Sequence, residues 1–599
     1  MKTSERRTEL RVWQFMLDQT DQGEHFGFQN REYDHSRWVE KEAYQAWETY
    51  DDALHDYEGI GWYYTTVRTP ADGKRFVLHF DGVGGSARVF INGREAGGTW
   101  DRYLPFEVDG TDYIVPGEDA AVAVKVDNSW QGVEHLTGGK NVEWVLYGGL
   151  THHIYAEERE PVRIAHLCIR AKCDGTLKAE STVENLSGRA FTGNVALELP
   201  GETLTAKISC RAGKTVAATF ETKSKGIEPW SPEHPNLYTC KATLTQRKTV
   251  LHTVTERYGY RTIEVRGTEF YLNGKKLRLV GANRYDEFAP YGNCAPADKI
   301  REDLTEMKRF GMNIIRTHYP QDPIHYEIAD EIGIMYMIEI PLNWWRPNKS
   351  VAEVEVMEGA DPEAYGTEEF TARSRMIVVE ARDMLERTWL NLCNHPCWTV
   401  WSLGNECFQS EPFTEQTFHS LAARMRELDC GRLITVAVNR PIRSSHELDF
   451  CDFLSLNYYH GVMGGETAEK RDELIQTKMR ARFAEAVKYY GDRPHVMTEF
   501  GSPCLAGLRG CDVHGRFTED FSSAWLKAAY AEFLRDTCLR GMIMWCWADY
   551  RHHRGFISHT MGIASTFGAY GLKTMDRHTK TLYHDTLKSI YDDFSAKTK

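Results

Sequence analysis

The chain has 599 residues, 42% hydrophobic and 26% charged, the balance of an ordinary globular protein divided into about three or four domains. Its formal net charge of −14 argues against nucleic acid or an acidic membrane face as partner, because either would be repelled. No run of about 18 apolar residues exists to span a bilayer.

Up to about residue 264 the chain reads as β structure. Short alternating runs such as "GWYYTTVRT", "RFVLHFDGV" and "SARVFING" are broken by Gly, Asp and Asn turns roughly every ten residues, a sandwich pattern. A second β block, from about Arg163 to Glu264, carries "LKAESTVENLSGRAFTGNVALEL" and "KTVAATFETK" and closes on the Pro-rich corner "WSPEHPNLYTCKATL". Two successive sandwiches fit this length better than one.

Beyond residue 264 strands alternate with helical-period segments. The strand candidates are 277–285, 313–320, 334–341, 398–406, 433–440, 453–459, 495–500 and 541–550. The clearest helices are "ADKIREDLTEMKRFG", "RMIVVEARDMLERTWLNLC" and "EDFSSAWLKAAYAEFLRD"; none is expected between the fifth and sixth strands. Eight near-continuous apolar strands point to a parallel sheet closed as a (β/α)8 TIM barrel. The competing doubly wound sheet usually carries a Gly-rich phosphate turn after its first strand, and "GANRYDEFAP" is not one.

Two strands end on an acid. "WTVWSLGNECF" runs into Asn405 and Glu406, and "HVMTEFGS" runs into Glu499. Catalytic groups of such a barrel gather at the C-terminal strand ends, so both acids are expected at one mouth. One of them alone is as readily a salt-bridged rim residue. Two, each beside polar (Asn405, Thr498) and aromatic (Trp401, Phe500) neighbours, read as a pair. Cleaving an acetal needs a proton for the leaving oxygen and an anion for the oxocarbenium-like centre. Mutual repulsion and unequal burial can push the two pKa values apart to supply both. The other strand ends hold sugar-handling residue types: Arg316, His318 and Tyr319; Asn457, Tyr458 and Tyr459; Trp545, Trp547 and Asp549.

The 14 cysteines are scattered singly, without C-x-x-C pairs or a histidine-rich partner spacing, so reduced core thiols are expected, with no metal and no cofactor. The opening "MKTSERRTELRVWQFMLDQT" lacks the apolar core of a secretory signal, and a cytoplasmic location is expected. Aromatic residues reach 12%, which suits large cores or flat surfaces on which sugars or bases stack.

The chain resembles glycoside hydrolase family 2, which groups β-galactosidases, β-mannosidases and β-glucuronidases, over nearly its whole length. "FDGVGGSARVFINGREAGG" is similar to the family's jelly-roll sugar-binding domain. "WSPEHPNLY" and "YGYRTIEVRGTEFYLNGKKLRLVGANRYDE" are similar to its immunoglobulin-like domain running into the barrel, and "WSLGNE" and "TEFG" to its two catalytic motifs. The resemblance implies a jelly-roll β-sandwich over 1–160, an immunoglobulin-like β-sandwich over 161–264 and the catalytic barrel over 265–599. It also implies Glu406 as general acid/base, Glu499 as nucleophile and Asn405 as the holder of the sugar 2-hydroxyl. "TEFGSPCLAGLRG…FTEDFSSAWL" is closest to the β-glucuronidase branch, in which Asn457, Tyr459 and Trp545 match positions lining the sugar pocket. Glu143, in "NVEWVLYGGL", falls where the family usually has an Asp from the jelly roll.

Two departures bear on the substrate. The family's first barrel strand usually ends in Asn-x-His, whereas this chain has Asn283-Arg284-Tyr285, which offers Tyr285 or Arg284 to the sugar instead. β-Glucuronidases also carry an Asn-x-Lys pair that grips the sugar carboxylate, and "MGIASTFGAYGL" puts Gly568 and Tyr570 at those positions. Either the substrate has no carboxylate, or another cation reads it: Arg346 in "PLNWWRPN", with Arg284 and Arg554 as alternatives. Arginine suits this task because its planar fork meets a carboxylate in two parallel hydrogen bonds. β-Galacturonidases are among the relatives without the Lys pair. The expected activity is therefore a retaining exo-β-glycosidase acting on a small-molecule β-hexuronide, galacturonide or glucuronide. A β-galactosidase, or a sugar-binding protein without catalysis, is the alternative. The resemblance also implies a tendency to associate as a homo-oligomer.

Overall fold

The structure, a computed structural model, describes the whole chain except residues 1, 4, 72, 130–143, 346–366, 430, 463–467, 511–516, 553–566 and 598–599. The first β region packs a six-stranded sheet against a four-stranded one. The first runs Val39–Glu42, Val12–Leu17, Ile60–Arg68, Asp119–Asp127, Ser86–Ile91, Arg94–Thr99; the second runs Arg6–Glu9, Ile154–Arg159, Arg75–Phe80, Phe106–Asp109. Side chains alternate across each sheet, so one face of each supplies a core that includes Trp13, Phe15, Tyr63, Leu78, Phe80 and Val124.

The second β region packs a five-stranded sheet against a three-stranded one (Val162–Ala171, Thr176–Asn185, Lys214–Lys223) around Ile164, Val183, Leu197, Phe220, Leu244 and Val254. Its five-stranded sheet has one member that sequence reading missed. Lys2–Thr3 pairs with Thr249–Tyr258, Lys2 opposite Thr255 and Thr3 opposite Val254. The start of the chain thus joins the second sandwich before the first begins. A strand of two residues has no periodicity to read.

Eight parallel strands then close a barrel in chain order: β1 (Leu279–Asn283), β2 (Ile314–Thr317), β3 (Met335–Glu339), β4 (Trp398–Asn405), β5 (Leu433–Val438), β6 (Leu454–Asn457), β7 (His495–Glu499) and β8 (Leu539–Met544). Every residue of these strands is buried except Arg540, because helices cover the outside and the strands' own side chains fill the inside. Helices follow the strands, for example Ala297–Arg309 after β1 and Pro412–Leu428 after β4, and residues 439–453 between β5 and β6 contain none. Pro323–Ile332, after β2, shows why sequence places its ends. Asp322 caps the N-terminus through the Ile324 amide, Pro323 pre-sets the first turn, and Gly333 closes it in the left-handed region.

The sandwiches are tied to the barrel by arginines. Arg261, where the second sandwich ends, donates to the carbonyls of Pro396 (2.8 Å) and Trp398 (2.6 Å) beside β4, and of Gly431 (2.8 Å) before β5. Arg387 of the helix Thr367–Leu392 reaches Asp101 (2.5 Å) and the Pro105 carbonyl (3.1 Å) in the first sandwich. This docking lays Trp144 of the first sandwich on the barrel mouth, with its ring centre 5.6 Å from that of His318 and 5.4 Å from that of Tyr319.

Candidate active site

A regular strand sends consecutive side chains to opposite faces. Asn405 and Glu406 both reach the interior of the mouth because β4 ends irregularly. Its pairing with β5 slips between Ser402 and Asn405, and Glu406 sits at φ 51°, a left-handed conformation unusual for a non-glycine residue. A slip between Leu456 and Asn457 likewise brings Asn457 opposite Glu499.

Arg316 is the hub of the site. Its side chain is fully buried; Nη1 donates to Glu499 Oε1 (2.7 Å) and Asn283 Oδ1 (3.0 Å), and Nη2 to Glu339 Oε2 (2.9 Å) and Asn405 Oδ1 (2.8 Å). Since arginine only donates, the Asn405 amide is oriented with oxygen toward Arg316 and nitrogen toward Asn343 Oδ1, 2.8 Å away. Asn457 Nδ2 bridges Asn405 Oδ1 (2.9 Å) and Glu406 Oε1 (3.0 Å). Glu406 Oε2 accepts from Asn439 Nδ2 (2.6 Å) and Trp344 Nε1 (3.2 Å). Glu499 Oε2 accepts the Tyr459 hydroxyl (2.9 Å), and His318 Nε2 lies 3.7 Å from Glu499 Oε1.

The two acids therefore hang on one network but in unlike surroundings. Burial, with the Glu499 carboxylate as the next cause, pushes the Glu406 carboxyl up to about 7. Glu499 instead meets a guanidinium and a phenol, both donors suited to an anion. A proton held near neutrality beside a hydrogen-bonded carboxylate is the equipment for cleaving an acetal.

Aromatic rings wall the space above the acids. Tyr285 stands edge-on to Trp545 (ring centres 5.5 Å, 89°) and 5.7 Å from Trp144, while Trp545 Nε1 donates to the Tyr550 hydroxyl at 3.0 Å. Tyr570 meets Tyr459 edge-on at 6.0 Å. Glu143, Arg346 and Arg554 lie outside the described residues.

Several sequence expectations need correction. Arg284 is no reader of a substrate carboxylate. It follows Asn283, whose amide faces the barrel interior, so alternation turns Arg284 outward, where it is buried on Asp303 (2.9 Å) beside His325 (3.3 Å). Trp547 also points out, its indole N–H on Asp303 (2.6 Å), and Asp549 is spent on Lys580 (2.6 Å). Tyr458 packs against Phe483 rather than toward the acids. Arg316 serves the two carboxylates and two amides rather than a sugar. Sequence reading did not single out Trp144, Glu339, Trp344, Asn343 or Asn439. Glu339 at a strand end carried a positional signal, whereas the others sit on loops whose path only the fold decides.

Among the described residues, two His/Asp/Cys groups, Asp330–His395–Cys397 and His495–Asp536–Cys538, have potential ligand atoms close together. Both sit at the N-terminal ends of strands, away from the acids. His395 Nδ1 pairs with Asp330 (2.6 Å), and both nitrogens of His495 are engaged, by Asp536 (2.7 Å) and the Tyr490 carbonyl (3.1 Å).

Comparison with known proteins agrees with this arrangement. Three domain models match in succession: the glycosyl hydrolases family 2 sugar binding domain over residues 26–151, a glycosyl hydrolases family 2 domain over 162–261, and the family's TIM barrel domain over 263–593. A β-glucuronidase of Paenibacillus borealis is 26% identical over 531 residues, 85% of this chain and 84% of the relative. A β-galactosidase of Thermoanaerobacter pseudethanolicus is 29% identical over 297 residues, 48% of this chain and 40% of the relative. The chain spans only 34% to 40% of the length of three of the curated relatives it matches, that β-galactosidase and two putative β-glucuronidases of Formosa agariphila. Among solved structures, the family 2 β-galacturonidase of Eisenbergiella tayi bound to galacturonate superposes with a TM-score of 0.81 at 22% identity, covering 98% of this chain and 97% of the other, a likeness of fold. With family models matched along nearly its whole length around a two-carboxylate barrel mouth, this chain belongs to glycosyl hydrolases family 2.

Proposed function

We propose that this chain is a retaining exo-β-glycosidase that hydrolyses terminal β-linked hexuronides, galacturonide or glucuronide. The observation that carries the reading is the pair of buried acids on one network, Glu406 pushed up to about 7 and Glu499 held by Arg316 and Tyr459. In this scheme Glu406 protonates the leaving oxygen while Glu499 attacks the anomeric carbon. Glu406, now a base, then activates water to release the sugar with its configuration retained. Asn405 has one Nδ2–H on Asn343, which leaves the second for the sugar 2-hydroxyl, a contact that strengthens as charge develops. Tyr285, Trp545 and Trp144 supply the apolar wall against which a pyranose stacks. Arg346 is our candidate for the sugar carboxylate, and Glu143 for a hydroxyl contact.

Two relatives support the uronide: the β-glucuronidase matched along most of both chains, and the galacturonate-bound β-galacturonidase of the same fold. A neutral β-galactoside is the second reading. Tyr570 in place of the Lys of the usual carboxylate grip favours it, as does likeness to a β-galactosidase. A panel of nitrophenyl β-glycosides (galacturonide, glucuronide, galactoside, glucoside, mannoside) decides. Faster turnover of either uronide supports our reading, a preference for the galactoside replaces it, and silence on all five removes the glycosidase assignment. Arg346→Ala should lower uronide turnover at least tenfold more than that of the matching neutral glycoside, about 1.4 kcal/mol of selective recognition. Equal losses would show that Arg346 does not read the carboxylate.

A further inference from the structure

A third carboxylate lies inside the network without a part in the two-acid scheme. Glu339, at the end of β3, is 1% exposed. Its Oε2 accepts Arg316 Nη2 (2.9 Å) and the Ser402 hydroxyl (2.5 Å), and its Oε1 accepts His318 Nδ1 (2.8 Å). The carboxylate only accepts, so Nδ1 of His318 carries the proton in that bond. The Arg316 guanidinium thus bridges two carboxylates, one amino group on Glu339 and the other on Glu499. A guanidinium carries a single positive charge, and the share balanced by Glu339 is withdrawn from the field felt by the reacting acids.

Resting on the glycosidase reading above, we propose that Glu339 is a positioning residue that sets the pH window of the acid pair: by balancing Arg316 it keeps Glu406 able to act as an acid near neutral pH. Burial opposes charge on Glu339, yet Arg316, His318 and Ser402 outweigh it and hold the group below the ordinary glutamate value. The charge of Arg316 is in turn one of the influences that draw Glu406 down. Around Glu339 stand Arg316 and His318 from the end of β2, Ser402 from β4, Glu499 from β7 across the guanidinium, and Cys407 just past Glu406. With Glu339 neutralised, Arg316 presents more net positive charge, Glu406 loses its proton at lower pH, and the rate falls earlier as pH rises.

The test is the profile of kcat/KM against pH for wild type, Glu339→Gln and Glu339→Asp. Wild type should lose activity as pH rises through about 7, where Glu406 gives up its proton. Glu339→Gln, close in shape but uncharged, should move that limb down by at least about half a pH unit, a modest Coulomb effect at the effective dielectric of a protein interior. Glu339→Asp keeps the charge but withdraws it by one methylene, and should move the limb less, in the same direction. Limbs that superimpose on wild type in a variant with an unchanged thermal melt, whatever the fall in kcat, overturn the proposal. If Glu339→Gln is not recovered folded, Glu339→Asp decides by the same criterion. A wild-type protein with no basic limb removes Glu406 from the role of general acid and overturns this proposal with it, whereas silence on the glycoside panel removes the glycosidase reading itself.

Discussion

The neighbours Asn405 and Glu406 face one opening because the left-handed backbone at Glu406 breaks the alternation of β4. Such a conformation costs of order 1–3 kcal/mol and persists only where surrounding bonds hold it. Those bonds are visible: the Glu406 amide on the Ala437 carbonyl (2.8 Å), and Asn457, Asn439 and Trp344 on its carboxylate. At this scale the sharpest prediction is Glu499→Gln. It keeps the shape of the side chain but removes the anion, so turnover of the preferred glycoside should fall roughly a thousandfold or more while calorimetry still detects binding of the free sugar. Hydrolysis near the wild-type rate would remove Glu499 from the chemistry.

Among elements, the barrel depends on how closely its strands approach. Gly281 in β1 pairs with Ile314 and Ile543, and a Cβ there would run into the Ile314 carbonyl. Gly281→Ala should therefore destabilise the protein by about 1–3 kcal/mol through overpacking, read as a lower melting temperature, with chevron or denaturant midpoints checking the sign. An unchanged midpoint would mean that β1 yields more readily than this packing suggests. The eight strands were legible beforehand because buried parallel strands are nearly continuous apolar runs punctuated by amphipathic helices. Which way each terminal side chain points was harder. Arg284 and Tyr285 are adjacent in the chain, and only the orientation of Asn283 reveals that the arginine goes to Asp303 and the tyrosine to the site.

For the whole molecule, the first sandwich completes the barrel mouth. Trp144 belongs to that sandwich yet packs on Tyr285, His318 and Tyr319 of the barrel, held there by inter-domain anchors such as Arg387 on Asp101. Trp144→Ala should raise KM or lower kcat/KM roughly tenfold, the scale of one lost aromatic wall, without a comparable loss of stability. Kinetics identical to wild type would make Trp144 packing alone.

Sequence by itself determined what is local and repetitive: the change from period-two strands to strand–helix units, the count of eight, and two acids at strand ends. These follow from patterns a few residues long, set by burial on one face or both. The tertiary structure alone decided that one arginine is shared by Glu499 and Glu339, that Trp344 and Asn439 come to Glu406, and that a sandwich residue walls the mouth. Those partners are far apart in the chain, and what brings them together is closure of the barrel and docking of the sandwich. No local pattern records either.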